Sequence, residues 1–229
     1  MSVFFRRRGE PPATFDDIFA NNSWEAIIAA CQSGNVPDTW AVGDSKMMTI
    51  NGADYQIDII GKNHDTYTVG GTAPLTFQMH DCYVTNYGMN SSNTNSGGWT
   101  SCAMRSTHLP AILALMPTEV QNGIREVNKL TFAGGNSATI NTTADKLFLL
   151  SEIEIFGSVS YSKSGEGTQY DYYDMGYSKV KRYNGSARLW WERSPTSTFS
   201  ARFCRVDSGG NAHYYYASYA IGVAFGFCF

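Results

Sequence analysis

The sequence predicts an α+β fold in which short helices surround a twisted antiparallel sheet. Charged residues are 16% of the 229, and aromatic residues are 14%. Disorder needs high charge and few aromatics, and a helical bundle would be rich in Ala, Glu, Lys and Leu. The Asn51-Gly52 pair between two apolar runs is a hairpin signal, because that pair tolerates the positive φ a tight turn needs. The helix signals are short, with a Ser start and a Gly stop close together.

A chain of this length suits one large domain, or one domain with an extra lobe, and buries roughly 70% of its unfolded surface. The net charge is -3 and the pI about 5.8. Nucleic-acid binding as the main task is disfavoured, since phosphate contact needs a basic face.

Residues 1–20 read as a basic, Pro-containing arm and residues 21–229 as the folded domain. Arg6-Arg7-Arg8 is followed by Gly9-Glu10-Pro11-Pro12 and no apolar region, so no signal peptide is expected and synthesis is placed in the cytoplasm. No run approaches the roughly 20 apolar residues of a membrane span.

Ser23 caps a helix over 23–31, with Gly34 as the stop. Strands are predicted over 47–50 and 55–60, joined by Asn51-Gly52, and over 75–79. Residues 86–101 have loop chemistry. Two short helices are predicted at 108–115 and 118–127, separated by Pro117. Leu147-Phe148-Leu149-Leu150 is a buried run, and Ser151 with Glu154 forms a capping box. Residues 158–170 read as Ser/Gly-rich loop, and 170–183 as a helix with an aromatic stripe. Strands follow at 187–191, 202–206, 212–219 and 222–229, with a turn at 207–211.

Cys31, Cys82, Cys102, Cys204 and Cys228 are odd in number and show no Cys-x-x-Cys spacing, so a structural zinc site has no support. They are expected to pack as small buried apolar residues. His64-Asp65 and His80-Asp81 lack a third partner at a telling spacing and read as turn or strand-end pairs. Glu152 and Glu154 read as capping and solvated. No phosphate-binding, dinucleotide or nucleophile-elbow motif occurs, and no catalytic residue, metal or cofactor is expected.

Trp190-Trp191-Glu192-Arg193-Ser194-Pro195, Phe203-Cys204-x-Val206 and the ending Gly222-Val223-Ala224-Phe225-Gly226-Phe227-Cys228 stand together with Phe148-Leu149-Leu150-Ser151-Glu152-Ile153-Glu154-Ile155-Phe156-Gly157. This combination resembles a family found in phages and prophages of Firmicutes and related bacteria. The C-terminal half is similar to the variable proteins of diversity-generating retroelements, and the first nine residues resemble the start of phage minor structural proteins. The resemblance implies a C-type-lectin-like fold, a non-enzymatic receptor-binding role and location in a virion, often as a trimeric tail tip. It also implies a host cell-surface protein or glycan as partner, with the arm joining other virion proteins. The Glu-Pro-Asn and Trp-Asn-Asp calcium-ligand tripeptides of sugar-binding lectins are missing. A fixed, calcium-independent lectin-like adhesin is the alternative. A second is a formylglycine-generating oxidase using Cys204 and Cys228, in which Arg202 and Arg205 alone could lower a thiol pKa.

Asn codons of the AAC type mutated at adenine cannot reach Lys, Glu, Gln, Met or Trp. Residues 195–229 contain none of the five, where about six would be expected from the rest of the chain. The segment is also rich in Tyr, Ser, Gly and Asn, the paratope residues. Thr198, Phe199, Arg202, Arg205, Asp207, His213, Tyr214, Tyr216 and Tyr219 are the candidate ligand contacts, within a variable segment 195–222. Period-two alternation cannot expose both Arg202 and Arg205 without a bulge near Cys204 or an Arg lying along the surface. Trp190 and Trp191 are expected in the core. An ordinary aromatic β core with polar turns is the competing reading of the whole segment.

Overall fold

Ser23 starts the first helix as expected. The computed structural model, which describes residues 14–135 and 137–229, places α1 at Trp24–Ser33. The Ser23 hydroxyl accepts from the Ala26 amide at 3.2 Å, and Gly34 closes the helix at φ 69°. The hairpin follows, with β1 at Ser45–Ile50 and β2 at Ala53–Lys62. Asn51 (φ 49°) and Gly52 (φ 78°) make its turn. Next comes β3, Leu75–Met79.

The loop after β3 contains one helical turn, α2 (Gly98–Ser101). A π turn over Met104–His108 then runs into α3 (Leu109–Leu113), and α4 (Thr118–Gly123) follows Pro117. The helix expected to reach Val127 stops at Gly123, and Val127 opens β4 (Val127–Phe132). A Cβ at Gly123 would lie 2.6 Å from Ile28, so α1 and α4 approach closely there. From Val127 to Thr131 the buried and exposed residues alternate, the period of a strand. Its partner is β5, Ile140–Asp145.

Ser151 and Glu154 form the capping box that begins α5 (Glu152–Phe156). The helix expected over 170–183 shrinks to one turn, α6 (Asp171–Asp174), because Gly176 turns the chain at φ 87°. A second Asn-Gly turn, Asn184 (φ 49°) and Gly185 (φ 75°), then joins β6 (Lys181–Tyr183) to β7 (Ser186–Arg188). The strand expected at 187–191 breaks at Leu189 and restarts as β8, Trp190–Pro195. After β9 (Arg202–Val206), β10 (Ala212–Tyr216) stops short of Tyr219. Of the ending, Gly226–Cys228 forms β11.

The result is an α+β fold of small antiparallel sheets, ordered β1-β2-β3-β11, β10-β9-β8, β4-β5 and β6-β7. The β3–β11 pairing ties the end of the chain to its first half. Phe77 packs at 5.3 Å from both Phe227 and Phe229, and Trp24 lies 6.0 Å from Phe229. Phe19 joins this cluster, 5.3 Å from Trp40 and 6.1 Å from Phe77. The arm expected over 1–20 is therefore not an arm at Phe19, which is core. Residues 1–13 lie outside the described residues. Trp190, Trp191 and all five cysteines are buried, as expected.

Candidate binding surface

The β9–β10 hairpin carries most of the expected contacts, and its strands pair without interruption from Arg202↔Tyr216 to Val206↔Ala212. The register break lies on the other side of β9, between Trp191 and Pro195 of β8. Cys204 therefore has no bulge against β10, and the two arginines face opposite sides of β9, but both faces are buried from Phe203 to Val206 and only Arg202, which opens the strand, is left partly exposed. Arg202 stays at the surface. Arg205 points the opposite way with Tyr215 and is only 8% exposed, so it is removed from the exposed contacts.

The remaining candidates fall into a cluster and its margins. The Arg202 guanidinium lies 4.4 Å from the Phe199 ring, 4.9 Å from Tyr214 and 4.6 Å from Tyr216. It donates a hydrogen bond to the Tyr216 hydroxyl at 3.1 Å, and this bond raises its pKa further. Phe199, Tyr216 and Tyr219 are exposed, at 42%, 36% and 45%. Tyr219 bridges Tyr216 and the half-buried Tyr215, with ring distances of 5.7 and 4.7 Å. Thr198 is exposed beside Phe199. His213 folds over the free edge of β10, where its Nδ1 accepts from the Tyr214 amide at 2.8 Å. Asp207 is engaged by its own turn: one oxygen accepts from the Gly209 amide at 2.8 Å and the Asn211 amide at 2.9 Å. These bonds, the Asn211 one first, lower its pKa. It holds the hairpin turn, an assignment the sequence reading did not make.

Residues far away in sequence hold this surface in place. Fully buried Asn95 donates to the carbonyls of Thr196, Phe199 and Arg202 at 3.2, 3.0 and 2.9 Å. Its own oxygen accepts from the Gly135 amide at 2.9 Å. Asn93 accepts from the Ser218 hydroxyl at 2.8 Å. Glu152, expected to be solvated, is fully buried and accepts from the amides of Ser160, Tyr161 and Ser162, the last at 2.7 Å. That tether fixes Tyr161, whose ring meets Tyr214 edge-on at 4.9 Å. Tyr161 is thus a surface residue that sequence reasoning missed. It sits in a Ser/Gly-rich loop, and no local signal marks it.

Below the surface runs a chain of alternating charges. Lys129 contacts Asp65 at 2.7 Å and Glu154 at 2.8 Å, and Glu154 takes both ends of the Arg193 guanidinium. Burial opposes ionisation of Asp65 and Glu154, but their cationic partners outweigh it and hold both below the usual carboxylate range. Glu154 is therefore a buried charge as well as a cap, not a solvated one. Glu166 accepts from the Phe132 amide at 2.8 Å, and burial pushes its pKa up to about 7. Burial, then Glu152 and Glu166, push Glu192 far higher. His80 binds Asp58 at 2.7 Å and not Asp81, which accepts from the Arg182 amide at 2.6 Å, and His64 stacks on Tyr170 at 3.9 Å.

Among the described residues, no group of three or more His, Cys, Asp or Glu is placed to hold a metal ion. Burial raises the pKa of both Cys204 and Cys228, and they stand in separate sheets. A family model described as Domain of unknown function (DUF6273) matches residues 76–227. The chain belongs to this family. No curated protein and no solved structure matches it. The DUF6273 match opens in β3 and ends in β11, so it contains the hairpin together with Asn93, Asn95, Glu152 and Tyr161.

Proposed function

We propose that this chain is a ligand-binding protein that presents residues 198–219 to a foreign surface from a C-type-lectin-like scaffold. One observation supports the reading above others: Phe199, Arg202, Tyr214 and Tyr216 cluster at the surface, while the backbone beneath them is pinned by buried Asn95. A stiff backbone under aromatic side chains is the physics of a paratope, because rings with few rotors lose little entropy on binding. Each ring fully covered removes roughly 150–250 Å² from water, enough for a few anchors to dominate an interface.

The phage or prophage setting, with a host cell-surface partner and a virion location, rests on the resemblance of the sequence segments quoted above. Diversification is supported by the missing Lys, Glu, Gln, Met and Trp after position 194.

A display library tests the reading. Thr198, Phe199, His213, Tyr214, Tyr216 and Tyr219 are randomised together on the full chain. Most members are expected to remain folded, and selection against a defined protein such as lysozyme is expected to yield binders. General loss of folded display would mean these side chains are core and would overturn the proposal. In the genome, a near-copy of the 3′ end beside a reverse-transcriptase gene, differing at adenines, is expected. Its absence would leave a fixed adhesin, and inhibition by free sugars would make that adhesin a lectin.

A further inference from the structure

We propose that Arg202 recognises an acidic side chain, Asp or Glu, on a protein partner. This assignment rests on the binding-surface reading above and specifies its chemistry. The cluster of Arg202, Phe199, Tyr214 and Tyr216 holds a cation and no carboxylate. Among the described residues Arg202 takes part in no ion pair. One of its N–H groups binds the Tyr216 oxygen, and the rings of Phe199, Tyr214 and Tyr216 hold the guanidinium in place. A planar fork so held is pre-organised for a carboxylate. The Tyr216 oxygen already accepts from Arg202, so its own proton is directed to a new acceptor.

The carboxylate of Asp207 is committed to its own turn. Nothing in the cluster repels an incoming anion.

A peptide carboxylate between apolar neighbours brings acceptors to these donors and hydrocarbon to the rings. The Phe199 ring is 42% exposed and is covered by the apolar neighbours of a peptide carboxylate, which a sugar acid lacks, so the acidic peptide is favoured.

The experiment is an NMR titration of the full ¹⁵N-labelled chain, following the Arg202 Nε–H and the amides of 199–216. The probes are acetyl-Leu-Glu-Leu-amide, its Gln counterpart and glucuronate. The Glu peptide is expected to bind about fivefold more tightly than the Gln peptide, the ratio that ~1 kcal/mol from an exposed charge pair gives. Arg202→Gln is expected to erase that preference while leaving the melting temperature within about 2 °C, as for a surface change. Equal binding of the Glu and Gln peptides would overturn the proposal. Glucuronate binding as tightly as the Glu peptide would overturn the choice of a protein partner. A library that stays folded and yields binders, beside a parent blind to charge, would refute this assignment alone. An unfolded library would refute the surface reading beneath it.

Discussion

Replacing Asn95 by Ala tests whether the surface is held from below. Asn95 reaches three carbonyls of the 196–202 turn and one amide across at Gly135. Two of those carbonyls keep a second partner, since the Thr196 hydroxyl donates to Phe199 at 2.7 Å and to Arg202 at 3.3 Å. The buried Thr196 carbonyl loses its Asn95 partner, whereas Gly135 is exposed and its amide turns to water. A buried group left unmatched costs about 1–3 kcal/mol, so the total is about 2 kcal/mol, on the order of thirtyfold in the folding equilibrium. Urea unfolding of Asn95→Ala is expected to show a lower midpoint with an unchanged slope. Amide exchange at 197–201 is expected to quicken more than in β3. Asn93→Ala is the control, because its partner Ser218 is only partly buried, and it is expected to cost under ~0.5 kcal/mol. A loss below ~1 kcal/mol for Asn95→Ala, or an equal loss for both variants, would refute the reasoning.

Other perturbations follow from the same geometry. Lys129→Met leaves Asp65 and Glu154 facing each other's charge without their shared cation and is expected to cost about 3–5 kcal/mol in urea unfolding. Glu166 holds its proton up to about 7 in the folded chain against an ordinary 4.5, so its contribution to stability is full below pH 4.5 and falls as pH rises to 7. Glu166→Gln is expected to remove that part of the fall, by up to ~1.4 kcal/mol per pH unit, read from melts at pH 5, 6 and 7. A thiol reagent at pH 8 is expected to label none of the five buried cysteines in the native chain and all five in guanidinium. Gly185→Ala forces a side chain into φ 75° and is expected to cost about 1–2 kcal/mol, measured by thermal unfolding.

Local signals hold wherever the physics is local. The Ser23 cap, the Ser151–Glu154 capping box and the Asn51-Gly52 turn depend on residues within a few positions of one another, and all three form. The same Asn-Gly pair at 184–185 forms a turn of the same kind, just after the aromatic stripe of 170–183 whose period suggests a helix. The stripe is real, but its residues are buried from several directions: the Tyr172 hydroxyl binds Asp58 and the Tyr173 hydroxyl binds Gln78. Period alone did not separate β4 from a helix extending out of α4. Of the candidate contacts, Phe199, Arg202, Tyr214, Tyr216 and Tyr219 meet as one surface, while Arg205 and Asp207 are taken up by the fold.

Taken alone, the sequence determined an α+β class, buried thiols, core tryptophans and an aromatic segment near the end of the chain. Each of these is set by composition or by neighbours a few residues apart. The tertiary structure decided that both faces of β9 are covered from Phe203 to Val206 and that only Arg202, at its start, is left partly exposed, because that depends on what packs over the strand. It also decided that Glu152 and Glu154 are interior, since their partners come from the 160–162 loop, Lys129 and Arg193. Burying a charge is tolerated only where distant residues converge to match it, and no window of sequence contains that convergence.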